Sequence, residues 1–191
     1  MSVSGALASR RAIRQFDDAV AVARKEPVRR VLPSTVADFS VWSPQRVAAY
    51  RAGLLEHSAP LGVLHLEKLG LRVPVFEGTG ELNLNNGVGW IGGTAKPGEY
   101  GNVGIAGHRD GFFRGLKNIS IGDSIEISTV ELTTRYRVDQ IEIVQPENIG
   151  VLEARQNSSV TLVTCYPFYF IGNAPQRFIV HGVLMEQVRY D

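Results

Sequence analysis

The single cysteine is the strongest candidate for chemistry in this chain. Cys165 follows the β-rich run 160–164 and precedes Tyr166-Pro167, so the predicted strand ends there. A thiol at the end of a strand is fixed in position but still reachable from the loops, which suits a nucleophile. A lone cysteine is also often a small buried hydrophobic residue, and its position leaves these two interpretations about equal.

His108 is the histidine best placed to exchange protons with that thiol. It follows the apolar segment 103–107 and opens the polar turn Arg109-Asp110-Gly111, so it too lies at a strand end. A general acid or base needs such a fixed and accessible position. The alternative is a turn histidine whose ring is satisfied by backbone groups. His57 ends a predicted helix and His65 lies in a strand, and nothing nearby marks either as special. His181 lies within the last predicted strand, where we expect it to pack or to face solvent.

Arg177 is a candidate for stabilising negative charge near the same place. It opens the last predicted strand, and the loop 166–176 separates it from Cys165. If the strands on either side of this loop are antiparallel neighbours, Arg177 and Cys165 lie almost opposite each other. A guanidinium there could donate hydrogen bonds to a developing oxyanion. The alternative is an ordinary surface arginine. The placement of Cys165, His108 and Arg177 together at strand ends is more informative than the position of any one of them.

The segments that must position these residues change in character near residue 60. Before it, apolar residues at helical spacing predict a helix over 7–24, and the N-cap Ser43 with Pro44 predicts a second helix that stops near 57–60. After it, short β-rich segments alternate with turns, which is typical of an antiparallel β-barrel or sandwich. The predicted strands cover residues 62–67, 71–76, 103–106, 124–128, 133–144, 160–164 and 178–187. We therefore divide the chain into a helical extension, 1–59, and a β domain, 60–191.

The composition argues against several classes of function. Twenty Lys and Arg balance nineteen Asp and Glu, for a net charge of +1, which argues against a nucleic-acid partner. One cysteine excludes an intrachain disulfide or a cysteine-rich metal site, and no acidic cluster indicates a calcium site. We expect no metal and no cofactor. No stretch approaches the roughly 18 apolar residues of a membrane-spanning helix, and no signal peptide is visible.

Three spaced segments together resemble the sortase family. Residues 161–165 (TLVTC) are similar to its TLxTC signature, residues 104–108 (GIAGH) to its histidine segment, and Arg177 to its arginine in spacing and context. The stretch Val73-Pro74-Val75, the turn 87–90 and Gly122-Asp123 also look like the sortase pattern. The resemblance covers about residues 60–188.

The resemblance implies a mainly β fold: a closed eight-stranded barrel with short helices and an N-terminal helical extension. It also implies a cysteine transpeptidase that cuts an LPXTG-like C-terminal sorting signal after its threonine. The acyl group then passes to an amine acceptor on the cell wall or on another protein. By resemblance, Cys165 is the nucleophile, His108 is the general acid and base, and Arg177 stabilises the oxyanion and the substrate.

Four further residues are candidates for contact with the substrate. Thr164 precedes the nucleophile, and Ala106 belongs to the histidine segment. Tyr166 and Phe168 belong to the aromatic loop 166–176, which in sortases borders the groove for the sorting signal. An apolar wall there suits the Leu-Pro part of such a signal. The rings could equally pack the loop onto the barrel, because aromatic side chains serve cores and interfaces alike.

The departures from the family pattern guide the remaining expectations. Sortases usually carry an N-terminal membrane anchor, so we expect an enzyme of the cell envelope whose anchor is absent from this chain. An Asp-aromatic lid is missing, which disfavours the pilus-polymerising class, and the segments 165–168 and 174–177 look closer to class D-like and Gram-negative dedicated sortases. The competing hypotheses are a thiol hydrolase that uses water and a non-catalytic β-barrel that binds peptides.

Overall fold

The structure is a computed structural model that describes residues 4–24, 59–169 and 174–190. Its helices are α1 (Ser4–Arg24) and the short α2 (Glu81–Asn86). Its strands are β1 (Gly62–Leu66), β2 (Leu71–Glu77), β3 (Val88–Trp90), β4 (Asn102–Ala106), β5 (Ser124–Ser128), β6 (Leu132–Val144), β7 (Ser159–Tyr166) and β8 (Gln176–Arg189). All seven predicted strands are present, and each boundary falls within two residues of its prediction.

The strands close into a barrel in the order β1-β2-β3-β4-β7-β8-β6-β5, which confirms the predicted eight-stranded architecture. The expectation of a purely antiparallel barrel is wrong, because β2 pairs with β3, and β4 with β7, in parallel. Parallel neighbours require a crossover connection. Helix α2 lies within the connection between β2 and β3. Between β4 and β7 the chain first forms the β5–β6 hairpin.

Strand β3 was predicted as a turn, and this prediction is wrong. Gly87 before the strand and Gly89 within it explain the error, because glycine usually marks a turn. A side chain at Gly87 would place its Cβ 2.4 Å from the carbonyl oxygen of Pro74, and one at Gly89 would place it 2.4 Å from that of Gly78. These glycines are therefore needed for the close approach of backbones around β3 rather than for a change of chain direction.

Alternation along the strands separates the barrel interior from its outer face. In β5, Ile125 and Ile127 are buried while Ser124 is exposed, as expected for one core-facing side. In the two strands that carry the candidate cysteine and histidine, Leu162 and Ile105 belong to the same core and are fully buried. Residues at odd numbers in β7 and even numbers in β4 therefore lie on the outer face.

Helix α1 packs against the outside of the barrel. Its predicted span began at residue 7, and the structure confirms it with a start three residues earlier. Ile13 and Phe16 form a small buried cluster with Val63 of β1, and Arg72 of β2 donates to the carboxylate of Asp17 at 3.2 Å. The predicted second helix lies outside the described residues, and the domain boundary near residue 60 stays a prediction. In the described ranges, no helix combines the length and apolar character that crossing a membrane requires.

Candidate active site

Strand register places the candidate nucleophile beside both of its predicted partners. Cys165 of β7 pairs directly with Arg177 of β8, which confirms the expectation that they lie opposite each other. On the other side, Ala106 of β4 pairs with Val163 in parallel. Continuing that register by two residues brings His108 level with Cys165. The three residues thus form one row at the ends of β4, β7 and β8, which we call the catalytic row because it holds the three predicted catalytic residues.

The catalytic row lies on the outer face of the barrel. Thr164 and Leu162 point into the barrel, where they are 2% and 0% exposed, so Cys165 between Thr164 and Tyr166 points outward. The thiol is partly exposed and forms no disulfide. The His108 side chain is 21% exposed. A row of partly exposed side chains on a rigid sheet can meet a substrate without reorganising the fold.

Two contacts fix the backbone that carries His108. The Thr164 hydroxyl donates to the carbonyl oxygen of Gly107 at 2.7 Å, which joins the ends of β7 and β4. The buried Phe113 ring covers Gly107 so closely that a Cβ there would lie 2.6 Å from it. The predicted contact between Thr164 and substrate stays untested. Its buried hydroxyl is committed to Gly107, so we assign Thr164 a positioning role.

Glu81 is a neighbour of His108 that sequence analysis missed. Its carboxylate lies 3.6 Å from Nε2 of His108 and belongs to the first turn of α2. The buried Asn85 side chain, one turn further along α2, donates to the same carboxylate at 3.4 Å. The Glu81 side chain is 75% exposed, so its attraction for the imidazole is weakened by solvent. No sequence signal links two elements so distant along the chain.

Arg177 is held by carbonyl groups of its own segment. Its Nη1 donates to the carbonyl oxygens of Ala174 at 3.2 Å and Gln176 at 3.0 Å. A guanidinium has five N–H donors, so these bonds leave the donors of Nε and Nη2 uncommitted to the loop carbonyls. Among the described residues, no carboxylate is paired with Arg177.

The aromatic rings of Tyr166 and Phe168, at the start of the loop, pack against Phe178 of β8. Tyr166 and Phe168 contact Phe178 with ring centroids 6.2 and 5.2 Å away, and Phe168 and Phe178 both pack against the core. Phe178 pairs with the inward-facing Thr164. These contacts give Tyr166 and Phe168 the packing role, which was the alternative interpretation, and their contact with substrate stays a prediction.

The same loop is also fastened to the segment that follows His108. Arg109 donates to the carbonyl oxygen of Pro167 at 3.2 Å. The exposed Tyr169 accepts a short hydrogen bond from Lys117, whose ammonium lies 4.8 Å from the tyrosine ring centroid. That hydrogen bond and the charge of Lys117 lower the pKa of the Tyr169 phenol. Residues 166–169 of the loop therefore have a defined position on one side of the catalytic row.

His181 is buried on the outer face, as the packing alternative predicted. It is 4% exposed and hydrogen-bonded to Thr161 and Glu142. Sequence analysis did not single out Glu142. Across the described ranges, no group of three or more His, Cys, Asp or Glu side chains is arranged to hold a metal ion.

Comparison with known proteins decides the family. The family model for the sortase domain matches residues 64–185. The chain belongs to the sortase family. Sortases are cysteine transpeptidases that act on proteins carrying sorting signals, and they work at the cell surface. The predicted family and fold are both confirmed.

Curated sortases match over different lengths. Sortase D of Bacillus subtilis (strain 168) is 31% identical over 122 residues, which are 63% of this chain and 62% of that protein. The chain thus spans less than two thirds of this relative. Sortase A of Streptococcus agalactiae serotype III (strain NEM316) is 25% identical over 174 residues, which are 85% of this chain and 69% of that protein.

Solved sortase structures share the fold. Sortase E1 from Streptomyces coelicolor, with a tripeptide in its active site, has a TM-score of 0.62 and 30% identity over 68% of this chain and 90% of that one. The sortase D5 transpeptidase of Clostridium perfringens has a TM-score of 0.67 and 24% identity over 94% of this chain and 99% of that one. Sortase D of Bacillus subtilis is thus one of the curated relatives of this chain, and the sortase D5 structure shows that the fold is shared.

Proposed function

We propose that this sortase is a transpeptidase that cleaves an LPXTG-like sorting signal after its threonine and transfers the acyl group to an amine. Its alignment with less than two thirds of the sortase D relative makes the activity of the whole protein a proposal. The observation that carries it is the register that pairs Cys165 with Arg177 and brings His108 level with them. A nucleophile, a proton donor and an oxyanion donor are thus adjacent on one rigid sheet.

The chemistry follows from these three positions. The Cys165 thiolate attacks the threonine carbonyl carbon, and the negative charge that forms on the oxygen accepts hydrogen bonds from Arg177. The C–N bond then breaks, and protonated His108 gives its proton to the departing amine, which leaves a thioester. An acceptor amine attacks this thioester and loses a proton to His108. A new amide forms, and the thiolate leaves.

An apolar floor next to the catalytic row supports a substrate with apolar residues before the cleaved bond. One register step away, Ala106, Val163 and Ile179 share the outer face of β4, β7 and β8. Ala106 and Val163 are partly exposed, while Ile179 is fully buried. A peptide laid along this floor would bury apolar side chains and bring its carbonyl group to Cys165. We assign Ala106 to substrate contact on this basis.

We propose that the protein acts at the cell envelope, where a membrane anchor holds it. Its substrates would be exported proteins that end in a sorting signal, and its acceptor would be an amine on the cell wall or on another protein. The support is the family, whose members act at the cell surface.

Peptide cleavage with and without an added amine tests the proposal. We expect mass spectrometry of an LPXTG-type peptide to show a new amide product when oligoglycine or hydroxylamine is added. Cys165→Ala should abolish both cleavage and transfer. If the same hydrolysis products form with and without the amine, the result would favour a thiol hydrolase. A Cys165 that resists thiol-reactive probes in the folded protein, together with no cleavage of any peptide, would favour a binding module.

A further inference from the structure

A chain of hydrogen-bonded polar side chains crosses four strands beside the catalytic row, and its members Asn102, Thr161 and His181 are buried. The Thr161 hydroxyl donates to the side-chain oxygen of Asn102 at 2.9 Å and lies 3.0 Å from Nδ1 of His181. Nε2 of His181 lies 2.9 Å from the carboxylate of Glu142. Gln140 donates to the same carboxylate oxygen at 3.3 Å. The chain thus joins β4, β7, β8 and β6.

The Nε2 atom of His181 donates to Glu142, because a carboxylate oxygen only accepts. On the other side of the ring, Nδ1 contacts the Thr161 hydroxyl. His181 is thus held between Thr161 and Glu142. Its side chain is 5% exposed, so this pair is shielded from solvent on the histidine side.

Glu142 lies between two basic residues of β8. It pairs in register with Ile179, whose neighbours on the outer face of β8 are His181 on one side and Arg177 on the other. Both residues are diagonal neighbours of Glu142, a separation of about 7–8 Å in antiparallel sheets, which long side chains can span. Of the two, only His181 holds its carboxylate among the described residues.

We propose that His181 is a positioning residue that keeps the Glu142 carboxylate away from Arg177. A carboxylate paired with the guanidinium would occupy the donors needed by the oxyanion and would repel the negative charge that develops there. Through its Nε2 hydrogen bond, His181 holds the Glu142 carboxylate on the side of Ile179 that is away from Arg177. This inference rests on the proposed role of Arg177 and adds a residue that acts through it.

A double substitution separates this role from simple packing. We expect His181→Gln to lower kcat for peptide cleavage about tenfold, less than the loss of a whole oxyanion donor, because Glu142 can then turn to Arg177. KM should change little. Adding Glu142→Gln should restore kcat to within about threefold of the parent, since a neutral amide does not compete for the guanidinium as strongly. Titration of the reactive thiol gives the active fraction for each variant.

The matched control is His181→Gln with Glu186→Gln. Glu186 is an exposed carboxylate of the same strand that pairs with Arg135, so this control makes the same charge change far from Arg177. Rescue by Glu142→Gln but not by Glu186→Gln is the expected result. A His181→Gln variant with the parent's kcat, or equal kcat in both double variants, would overturn the inference.

A second pair of variants serves if His181→Gln does not fold. Val144 pairs directly with Arg177 across β6 and β8. With His181 intact, Val144→Glu should lower kcat at least tenfold relative to Val144→Gln, because it places a carboxylate opposite the guanidinium. Equal kcat values would contradict the inference. If the parent protein neither cleaves a sorting-signal peptide nor transfers it, the proposed function itself has failed, which is a different outcome.

Discussion

At the residue scale, the proposed chemistry depends on what each side chain of the catalytic row can donate. His108 must deliver a proton to the departing amine, and Arg177 must donate hydrogen bonds from a planar fork. Neither task is met by charge alone. A lysine at position 177 would keep the charge, but its ammonium lacks the paired donors of a guanidinium.

Substitutions at these two positions therefore have distinct expected results. His108→Ala should lower kcat/KM for peptide cleavage about 10²–10⁴-fold, as for other acid–base groups. Arg177→Ala should lower it about 10²–10³-fold, as for an oxyanion donor, and Arg177→Lys should recover little of that loss. His65→Ala is the matched histidine control, since His65 lies in β1 and pairs with β2 and β5. Equal losses for His65→Ala and His108→Ala, with equal thiol titres, would contradict the assignment.

The site was predictable from sequence where a single connection joins two neighbouring strands. Cys165 and Arg177 flank one loop, so an antiparallel pair had to bring them together, and the register confirms it. Contacts that depend on strands far apart in the chain were not predictable. Glu142 reaches His181 only because β6 and β8 pair, and Glu81 reaches His108 only through the crossover that contains α2.

At the element scale, the ends of β4 and β7 are joined by the hydrogen bond from Thr164 to Gly107. This contact positions His108 relative to Cys165. Short apolar runs rich in β-forming residues were sufficient to predict these strands within two residues, and each strand begins with four consecutive buried residues. Such runs could not predict that the two strands are parallel, since their pairing spans the whole β5–β6 hairpin. Strand β3 was not predicted because glycine is favoured both in turns and where two backbones approach closely. The sequence alone does not distinguish these two cases.

Gly107→Ala tests whether the joined ends of β4 and β7 position His108. The added Cβ would lie 2.6 Å from the fully buried Phe113 ring, so either the ring or the backbone must move. We expect a loss of about 1–3 kcal/mol in the free energy of unfolding and a fall of about 10–100-fold in kcat through displaced His108.

Two further variants complete that test by urea unfolding and steady-state kinetics. Gly92→Ala is the control, because a Cβ at Gly92 meets no atom within 4 Å. Gly107→Ala combined with Phe113→Leu should recover part of the kcat, since the smaller side chain leaves room for the methyl group. A Gly107→Ala variant that matches Gly92→Ala in both stability and kcat would show that His108 is positioned by other contacts.

At the scale of the whole molecule, the barrel and helix α1 form separate layers with different roles. The main core fills the barrel and supports the catalytic row from inside, whereas α1 buries its own small cluster on β1 and β2. The helical spacing of Ile13, Phe16 and Val20 predicted an apolar face. It could not indicate the partner of that face, because Val63 is distant in sequence.

Phe16→Ala therefore has an expected effect on stability without one on chemistry. Phe16 is 4% exposed and packs with Ile13 and Val63, so its truncation should cost roughly 3 kcal/mol in the free energy of unfolding. Val22→Ala, at a side chain that is 80% exposed, should change stability by less than about 0.5 kcal/mol. Both variants should retain the parent's kcat per titrated thiol, because the catalytic row lies on β4, β7 and β8. Equal stabilities for the two would show that α1 contributes nothing to folding. A kcat lowered only by Phe16→Ala would show that the helix supports the site through the barrel wall.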